Sequence, residues 1–268
     1  ENNVITSRTQ TVSGYGIRCN RSGTATSRIT GLQIKDNLIT ASGTGIEVYY
    51  CNGVNVANNE IKIQKGTTIG AGIGVWLRGS TGNMYVTGNK FTELVSVQTG
   101  TGTYATQGIL TGATSANPFN IHIYNNMFSG INRSVTGPAN LNQTYIAEIG
   151  YGTTNIYNNT FYLPALTLPT QNGAYNAISF TTTSYKANIK NNIFISNEDA
   201  KSVLIAKAIT SGVSDNNIFQ LKVGNTNARV VETYATLADY KTANPTLDVN
   251  SKSVNVIFEN AAAGNLSL

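Results

Sequence analysis

Two arginines, a glutamate and a tryptophan fall at similar positions of successive short segments early in this chain. Alternation along these segments places Arg18, Glu47 and Trp76 on one outward-facing row, with Arg78 close to it. A guanidinium pairs well with a carboxylate, and an indole offers a flat apolar face, so this combination suits the binding of a sugar or a uronate. The tyrosines expected beside this row are Tyr49, Tyr50 and Tyr151. The row is therefore a candidate carbohydrate-binding surface.

Catalysis by the same row would need particular partners. In a polysaccharide lyase, Arg18 or Arg78 would neutralise a substrate carboxylate, and a tyrosine or lysine would remove the proton. In a hydrolase, Glu47 and Glu148 would have to lie within about 10 Å of each other. About three sequence repeats separate these two acids, which corresponds to ~14 Å in a stacked sheet and counts against a hydrolase. The alternative without chemistry is an Arg18–Glu47 surface ion pair, with Trp76 packed under a loop.

Other catalytic constellations find little support. His122 is the single histidine, and it lies between Ile121 and Ile123, where alternation directs it outward. A solvated surface histidine is the preferred interpretation, and a general base is the alternative. One histidine cannot supply a Ser-His-Asp triad or a histidine-rich metal site. The sequence therefore predicts no metal site and favours a protein that is not an enzyme.

A repeated asparagine motif supplies the frame for these residues. In the copy Ile156-Tyr157-Asn158-Asn159-Thr160-Phe161, apolar residues flank an asparagine pair. Apolar residues suit short strands, and asparagine tolerates the left-handed backbone of a sharp corner. Spacings between copies run from 22 to 37 residues, as in a solenoid. The amides predicted to stack in one ladder are Asn37, Asn59, Asn89, Asn126, Asn159 and Asn192.

Glycine-led strands precede most of these corners. Examples are Gly16-Ile17-Arg18, Gly45-Ile46-Glu47 and Gly72-Ile73-Gly74. Alternation assigns the isoleucines to the interior and Arg18, Glu47 and Gly74 to the outer wall. The predicted interior residues are Ile17, Ile46, Val48, Ile73, Val75, Ile109, Ile178 and Phe180.

The repeat loosens beyond Phe219. Residues 231–241 carry apolar side chains at helical spacing and stop before Pro245, which predicts a short helix over the open end of the stack. Because the repeat runs throughout, we expect one domain over residues 1–268, with a C-terminal coil and capping region at about 220–268.

Composition excludes several classes of function. Charged residues make up 12% of the chain, whereas Asn and Thr number 35 each. The net charge is +5, but the 18 Lys and Arg residues form no run, so the sequence predicts no nucleic-acid partner. No apolar segment is long enough to cross a bilayer, so it also predicts no membrane span.

Cys19 and Cys51 follow the glycine-led strands of two successive repeats. Stacked coils hold equivalent Cα atoms about 5 Å apart, within the range of a disulfide. Cys19 lies three residues past its glycine and Cys51 six, so their register is not fixed. A structural bridge and two buried free thiols both remain open.

Together, the asparagine corners and glycine-led strands resemble the right-handed parallel β-helix proteins, a group that includes pectate-lyase-like polysaccharide enzymes and phage tailspikes. The tail resembles the end of secreted bacterial β-helix repeat proteins, especially those of Bacteroidetes type. It carries a short helix, then Asp248-Val249-Asn250-Ser251, then Phe258, then residues 261–268. The resemblance implies an all-β, right-handed parallel β-helix of about eight to ten coils with an asparagine ladder and a short C-terminal helix. It also implies that the chain is a piece of a longer protein.

This resemblance leads to an expected function. The catalytic signatures of pectin hydrolases, pectate lyases and alginate epimerases are absent from the sequence. We therefore expect a non-catalytic, extracellular or cell-surface bacterial module for carbohydrate contact, adhesion or filament assembly, with end-to-end self-association. The alternative is a lyase-like enzyme acting on an acidic polysaccharide, and only that alternative would use Ca²⁺. Otherwise no cofactor is expected.

Overall fold

A computed structural model describes most of the chain. It covers residues 3–6, 14–20, 28–65, 72–98, 105–112, 119–135, 143–149, 152–165, 175–180, 185–197, 201–207, 209, 211–261 and 265–267. These residues form a right-handed parallel β-helix, in which three sheets wrap around one apolar core. With strands numbered along the chain, a typical coil contributes one strand to each sheet, so most neighbours in a sheet are three apart in sequence order.

Sheet A has nine strands in succession, which sets the number of coils. Its order is β1 (Val4–Thr6), β4 (Leu38–Ala41), β7 (Glu60–Lys65), β10 (Lys90–Gln98), β13 (Met127–Phe128), β17 (Thr160–Leu163), β20 (Ile193–Ser196), β23 (Ile218–Leu221) and β25 (Lys252–Ser253). A further strand, β14 (Ile131–Val135), pairs with the second half of β10.

Sheets B and C complete each coil. Sheet B contains β2 (Tyr15–Asn20), β5 (Thr44–Tyr49), β8 (Gly72–Arg78), β11 (Thr106–Gly112), β15 (Gln143–Ile149), β18 (Tyr175–Phe180), β21 (Ser202–Ile205) and β24 (Arg229–Val231). Sheet C contains β3 (Ile29–Lys35), β6 (Cys51–Ala57), β9 (Thr81–Thr87), β12 (Phe119–Tyr124), β16 (Gly152–Tyr157), β19 (Tyr185–Lys190) and β22 (Gly212–Asp215). The extra strand β14 makes the separation four where the coil that contains it pairs with the next in sheet A and with the preceding coil in sheets B and C.

The predicted asparagine ladder lies at the corner between sheets C and A. The first residue of each pair, such as Asn158 with φ 55°, takes the left-handed conformation that turns the chain. The second residue points inward, so that Asn159 donates from its backbone N and from Nδ2 to Asn192 Oδ1, at 2.9 and 3.0 Å. The same bonding connects all six predicted members. It continues to Asn217, which donates instead to Ser251 Oγ and Asp248 Oδ1.

A column of phenylalanines fills the core behind the ladder. Consecutive rings are stacked 4.6–5.2 Å apart, nearly parallel, and all are fully buried. Its members are Phe91, Phe128, Phe161, Phe194 and Phe219. Because each coil places the same residue at the same corner, the rings stack along the axis rather than interlocking across the core.

The predicted placement of Ile73 and Gly74 is wrong. Val75, rather than Ile73, pairs with Ile46, and Trp76 pairs with Glu47. Ile73 is buried, but in a small cluster that also holds Leu110, Ala147 and Trp76 and is separate from the main core. Gly74 faces inward, since a Cβ there would lie 2.9 Å from the Phe91 ring. The glycine that leads this strand is therefore Gly74 and not Gly72.

A short helix, α1 (Leu237–Ala243), covers the C-terminal end of the core, as predicted. Thr236 caps it by accepting a hydrogen bond from the Asp239 backbone N–H at 3.1 Å. Leu237 and Tyr240 are buried and join the main core. The helix begins six residues later than the apolar spacing suggested, because 229–231 form β24.

Candidate functional site

Strand register brings the predicted binding residues onto the outer face of sheet B. Arg18 in β2 pairs with Glu47 in β5, and Glu47 pairs with Trp76 in β8. Their side chains alternate with the core residues Val48 and Leu77, so they project away from the core. Arg78 lies two residues beyond Trp76 on the same strand and so shares this face.

Glu47 is the electrostatic centre of this surface. Its side chain is only 2% exposed, whereas those of Arg18 and Arg78 are 46% and 39% exposed. Arg18 Nε lies 2.6 Å from Glu47 Oε2, and Arg78 Nη1 lies 3.6 Å from Oε1. The structure therefore contains the predicted Arg18–Glu47 ion pair, but with the carboxylate buried between two arginines rather than on the surface.

Arg78 also contacts two aromatic rings. Its guanidinium carbon lies 4.4 Å from the ring centroid of Trp76 and 4.5 Å from that of Tyr49. Both distances fall within the range of a cation–π contact. One face of Trp76 is thus occupied by Arg78, and the indole also packs against the Ile73–Leu110–Ala147 cluster. Trp76 therefore lies between Arg78 and this apolar cluster.

Tyr49 and Tyr50 form a stacked pair at the end of β5. Their ring centroids are 3.9 Å apart, and Tyr49 Oη donates to Tyr50 Oη at 2.9 Å. Tyr50 has a φ of 57°, which turns the chain into sheet C. Gly79 on the next coil has a φ of 58°, and a Cβ there would come within 2.9 Å of both tyrosine rings. The tyrosine pair therefore packs over a backbone position that only glycine suits.

The hydrogen bond with Tyr49, followed by the charge of Tyr49 and by burial, raises the pKa of Tyr50. The positive charges of Arg28 and Arg78 oppose this shift without cancelling it. The phenolate of Tyr50 is consequently disfavoured at neutral pH, so Tyr50 is poorly suited to act as a base.

The structure adds two residues that were absent from the predicted site. Arg18 lies 4.5 Å from the ring centroid of Tyr15, and Arg28 lies 5.8 Å from that of Tyr50. Arg28 also donates from Nη1 to the carbonyl oxygen of Gly79. Tyr15 directly precedes Gly16 in β2, so its position beside the row could have been inferred from the sequence. Arg28 lies directly before β3, at the corner between sheets B and C, and its approach to the site could not. We call the complete set the arginine–aromatic patch: Tyr15, Arg18, Arg28, Glu47, Tyr49, Tyr50, Trp76 and Arg78.

Glu148 does not share the row of Glu47. The row passes from Glu47 through Trp76 and Leu110 to Ala147, so Glu148 pairs one position further along, with Thr111 and Phe180. Three coils separate Glu47 from Glu148, as the repeat spacing predicted. This register does not form the paired carboxylates of a glycoside hydrolase. Tyr151, the remaining predicted binding residue, lies outside the described residues.

His122 lies on the outer face of sheet C, away from the patch. Its ring stacks on that of Tyr85 with a centroid distance of 4.9 Å. Partial burial lowers the pKa of His122, which keeps its imidazole neutral at physiological pH. The stack makes His122 part of the sheet surface, and it contributes nothing to the sheet B row.

Cys19 and Cys51 are both free thiols in the structure. Cys51 is fully buried at the start of β6, and its backbone N–H donates to Ser80 Oγ at 3.1 Å. Cys19 is half-buried and packs against the main core. Of the two alternatives that the sequence left open, the structure therefore shows free thiols rather than a bridge, and only Cys51 is fully buried.

Among the described residues, no three His, Cys, Asp or Glu side chains gather closely enough to hold a metal ion. Within that same part of the chain, no helix has the length and apolar character needed to cross a bilayer. The fold and the patch define a right-handed parallel β-helix protein with a cationic, aromatic outer face. No protein-family model, curated protein or solved structure matches the chain.

Proposed function

We propose that this protein is a non-catalytic carbohydrate-contacting module that binds an acidic glycan through the arginine–aromatic patch. The observation that carries this proposal is the charge of the patch. The patch holds three arginines and one carboxylate, which leaves two positive charges, and the carboxylate is buried while Arg18 and Arg78 are more than a third exposed. A uronate or sulfate group can therefore reach guanidinium donors without meeting Glu47.

The aromatic residues of the patch support a binding role. Arg18 and Arg78 lie over the rings of Tyr15, Tyr49 and Trp76, which limits the orientations that the guanidiniums can adopt. Donors held in place before the ligand arrives lose less conformational entropy on binding. The hydroxyls of Tyr49 and Tyr50 add groups that can bond to sugar hydroxyls.

The lyase alternative draws less support from the same geometry. Arg18 and Arg78 could neutralise a substrate carboxylate, but a base is also required. Tyr50 has a raised pKa, and Glu47 is buried in two ion pairs. Neither group is placed to remove a proton from a sugar. Binding is thus the better-supported role.

We expect Arg78→Ala to weaken binding to an acidic oligosaccharide such as oligogalacturonate by about tenfold or more, since a charge-assisted hydrogen bond contributes about 1.5–3 kcal/mol. Isothermal titration calorimetry with the wild type and the variant measures this change. Lys186 lies on the exposed outer face of sheet C, away from the patch, so Lys186→Ala removes the same charge and is a matched control. We expect this control to bind as the wild type does.

Two outcomes would contradict the proposal. Equal affinity of the wild type and Arg78→Ala for every acidic glycan tested would remove the patch as the binding surface. A rise in ultraviolet absorbance from unsaturated products, lost in Arg18→Ala or Arg78→Ala, would replace binding by lyase activity. Adding Ca²⁺ in a parallel reaction tests the cation dependence that the lyase alternative implies.

The proposal includes an extracellular or cell-surface location in a bacterium. The polar, weakly charged surface and the 35 asparagines support it, as does the resemblance of the tail to secreted β-helix repeat proteins. In the structure, the tail residues Asp248 and Ser251 end the asparagine ladder, and Ser251 Oγ donates to Asp248 Oδ1 at 2.6 Å. The tail motif therefore has a structural role in closing the coil stack. A place among pectate-lyase-like proteins is part of the proposal and rests on the likeness of the asparagine corners and the glycine-led strands.

We further propose that this chain self-associates through the N-terminal end of the coil stack. The strands β1, β2 and β3 each stand at one end of their sheets, and Val4 is 74% exposed. At the other end, α1 covers the core, and the backbone N–H of Asp248 donates a hydrogen bond to the backbone carbonyl oxygen of Ser214 in β22. Head-to-tail growth needs complementary edges at both ends, whereas two N-terminal ends can pair about a two-fold axis and stop.

We expect multi-angle light scattering to show a monomer at low concentration and nothing larger than a dimer at high concentration. Val4→Lys should abolish the dimer, because charge on an edge strand opposes pairing. Val223→Lys is the matched control, since Val223 is 98% exposed and lies near the opposite end. Growth into a series of larger oligomers would favour a filament over a closed pair.

A further inference from the structure

Cys19 and Cys51 lie at one corner of the two N-terminal coils. Cys19 is near the end of β2 and pairs with Val48 of the next coil. The chain then turns at Tyr50, with φ 57°, and Cys51 begins β6 in sheet C. Both sulfurs therefore belong to the same corner, one coil apart. Cys19 packs against the apolar core that contains Cys51.

The two thiols are close enough to influence each other. Cys19 is one of the groups that raise the pKa of Cys51, and both side chains face the same core cluster. The position of Cys51 is fixed on the other side by the hydrogen bond from its backbone N–H to Ser80 Oγ, and Ser80 is itself fully buried. A disulfide forms without backbone movement only when the two Cα atoms lie within about 7 Å, a separation that coils stacked about 5 Å apart allow.

We propose that Cys19 and Cys51 form a disulfide that fastens the first coil of this β-helix to the second. The inference is independent of glycan binding by the arginine–aromatic patch. It rests on the packing of both cysteines at one corner of adjacent coils and on the register of the strands that carry them.

The reaction has a defined order when the oxidant is a small disulfide such as oxidised glutathione. Cys19 is the half-exposed partner, so its sulfur attacks the oxidant first and releases one glutathione thiol. Cys51 then attacks the mixed disulfide at Cys19, forms the protein disulfide and releases the second glutathione. The two cysteines lose two electrons and two protons, which end on the two glutathione thiols.

The pKa of Cys51 is raised to about 12, mainly by burial of the thiol and secondly by the nearby Cys19. A thiol with so high a pKa is a poor nucleophile towards a reagent in solution at neutral pH. In the second step the low reactivity of Cys51 is offset by its proximity to Cys19, because the attack takes place within the protein. Cys51 alone should therefore resist external thiol reagents.

The first coil is where such a bond would have the greatest effect. Its strands β1, β2 and β3 have partners on one side only within this chain. Ile5, Ile17, Ile29 and Leu32 of this coil are only partly buried, whereas the equivalent residues of later coils are fully buried. A bond between residues 19 and 51 closes a loop that includes β3, β4 and β5, and so restricts opening of this end.

The test is incubation of the whole chain with oxidised glutathione, followed by intact mass, peptide mapping and thermal unfolding. We expect the mass to fall by two hydrogens, one linked peptide pair containing Cys19 and Cys51, and a rise in Tm of about 5 °C. Amide exchange should slow in β2 and β3 after oxidation.

Cys19→Ser is the matched variant, because residue 19 is half-buried and serine preserves the shape of the side chain. This variant should fold with the Tm of the reduced wild type and show no rise in Tm after the same treatment. A stable glutathione adduct on Cys19, an unreactive wild type, or a disulfide that leaves Tm and amide exchange unchanged would overturn the proposal.

Discussion

Replacing Asn159 by alanine should lower the free energy of unfolding by about 3–5 kcal/mol. Asn159 Nδ2 donates to the carbonyl oxygens of Ile123 and Tyr157 at 2.9 and 3.0 Å and to Asn192 Oδ1. Its Oδ1 accepts from the backbone N and from Nδ2 of Asn126. Apart from the partly buried bond to Tyr157, these hydrogen bonds are buried, so truncation leaves several polar atoms without partners and without access to water.

The neighbouring residue provides the control. Asn158 lies on the outer side of the same corner with a φ of 55°, so Asn158→Gly should change the free energy of unfolding by less than about 1 kcal/mol. Chemical denaturation of both variants, followed by circular dichroism, measures the difference. If Asn159→Ala is as stable as Asn158→Gly, the ladder contributes little to stability, and the apolar core must hold the coils together.

Replacing Phe161 by alanine should also cost about 3–5 kcal/mol. The Phe161 ring is fully buried and stacks between Phe128 and Phe194, with both centroids at 4.9 Å. Truncation leaves a cavity in the middle of the phenylalanine column. The coils above and below cannot close this cavity, because backbone hydrogen bonds on three sheets fix their separation. We expect Tm to fall by about 10 °C.

Tyr162→Ala is the control for this second variant. Tyr162 follows Phe161 on β17, points outward and packs edge-on against Phe258 at 5.9 Å. Its loss removes one edge contact and the hydrogen bond from Asn197 Nδ2, and should cost about 1 kcal/mol. Equal losses for the two variants, measured by thermal unfolding, would mean that the core repacks around the missing Phe161 ring.

The sequence placed the asparagine ladder correctly because the ladder depends on local features that recur. Each corner needs a residue that accepts the left-handed conformation, followed by an amide that points inward, with apolar residues on both sides. Asn126 and Asn159 meet these conditions in their own segments, and parallel stacking of identical corners brings their amides together. The ladder also extends to Asn217, one member beyond the six that the sequence predicted.

Register within a strand could not be settled in the same way. Gly72 and Gly74 both precede an apolar residue, so the sequence offers two alignments for β8. The close approach of Phe91 and the Gly108 carbonyl at the inward corner excludes any side chain there, and only Gly74 satisfies that condition. This steric requirement comes from neighbouring coils and is invisible in the segment itself.

The arginine–aromatic patch shows the same division. Sequence alternation alone determined that Arg18, Glu47 and Trp76 share the outer face of one sheet, because strand geometry fixes the direction of each side chain. Only the tertiary structure decided that Glu47 is buried between two arginines and that Arg28 joins from another corner. Long side chains reach across coils, and their final contacts depend on the packing around them rather than on their own strand.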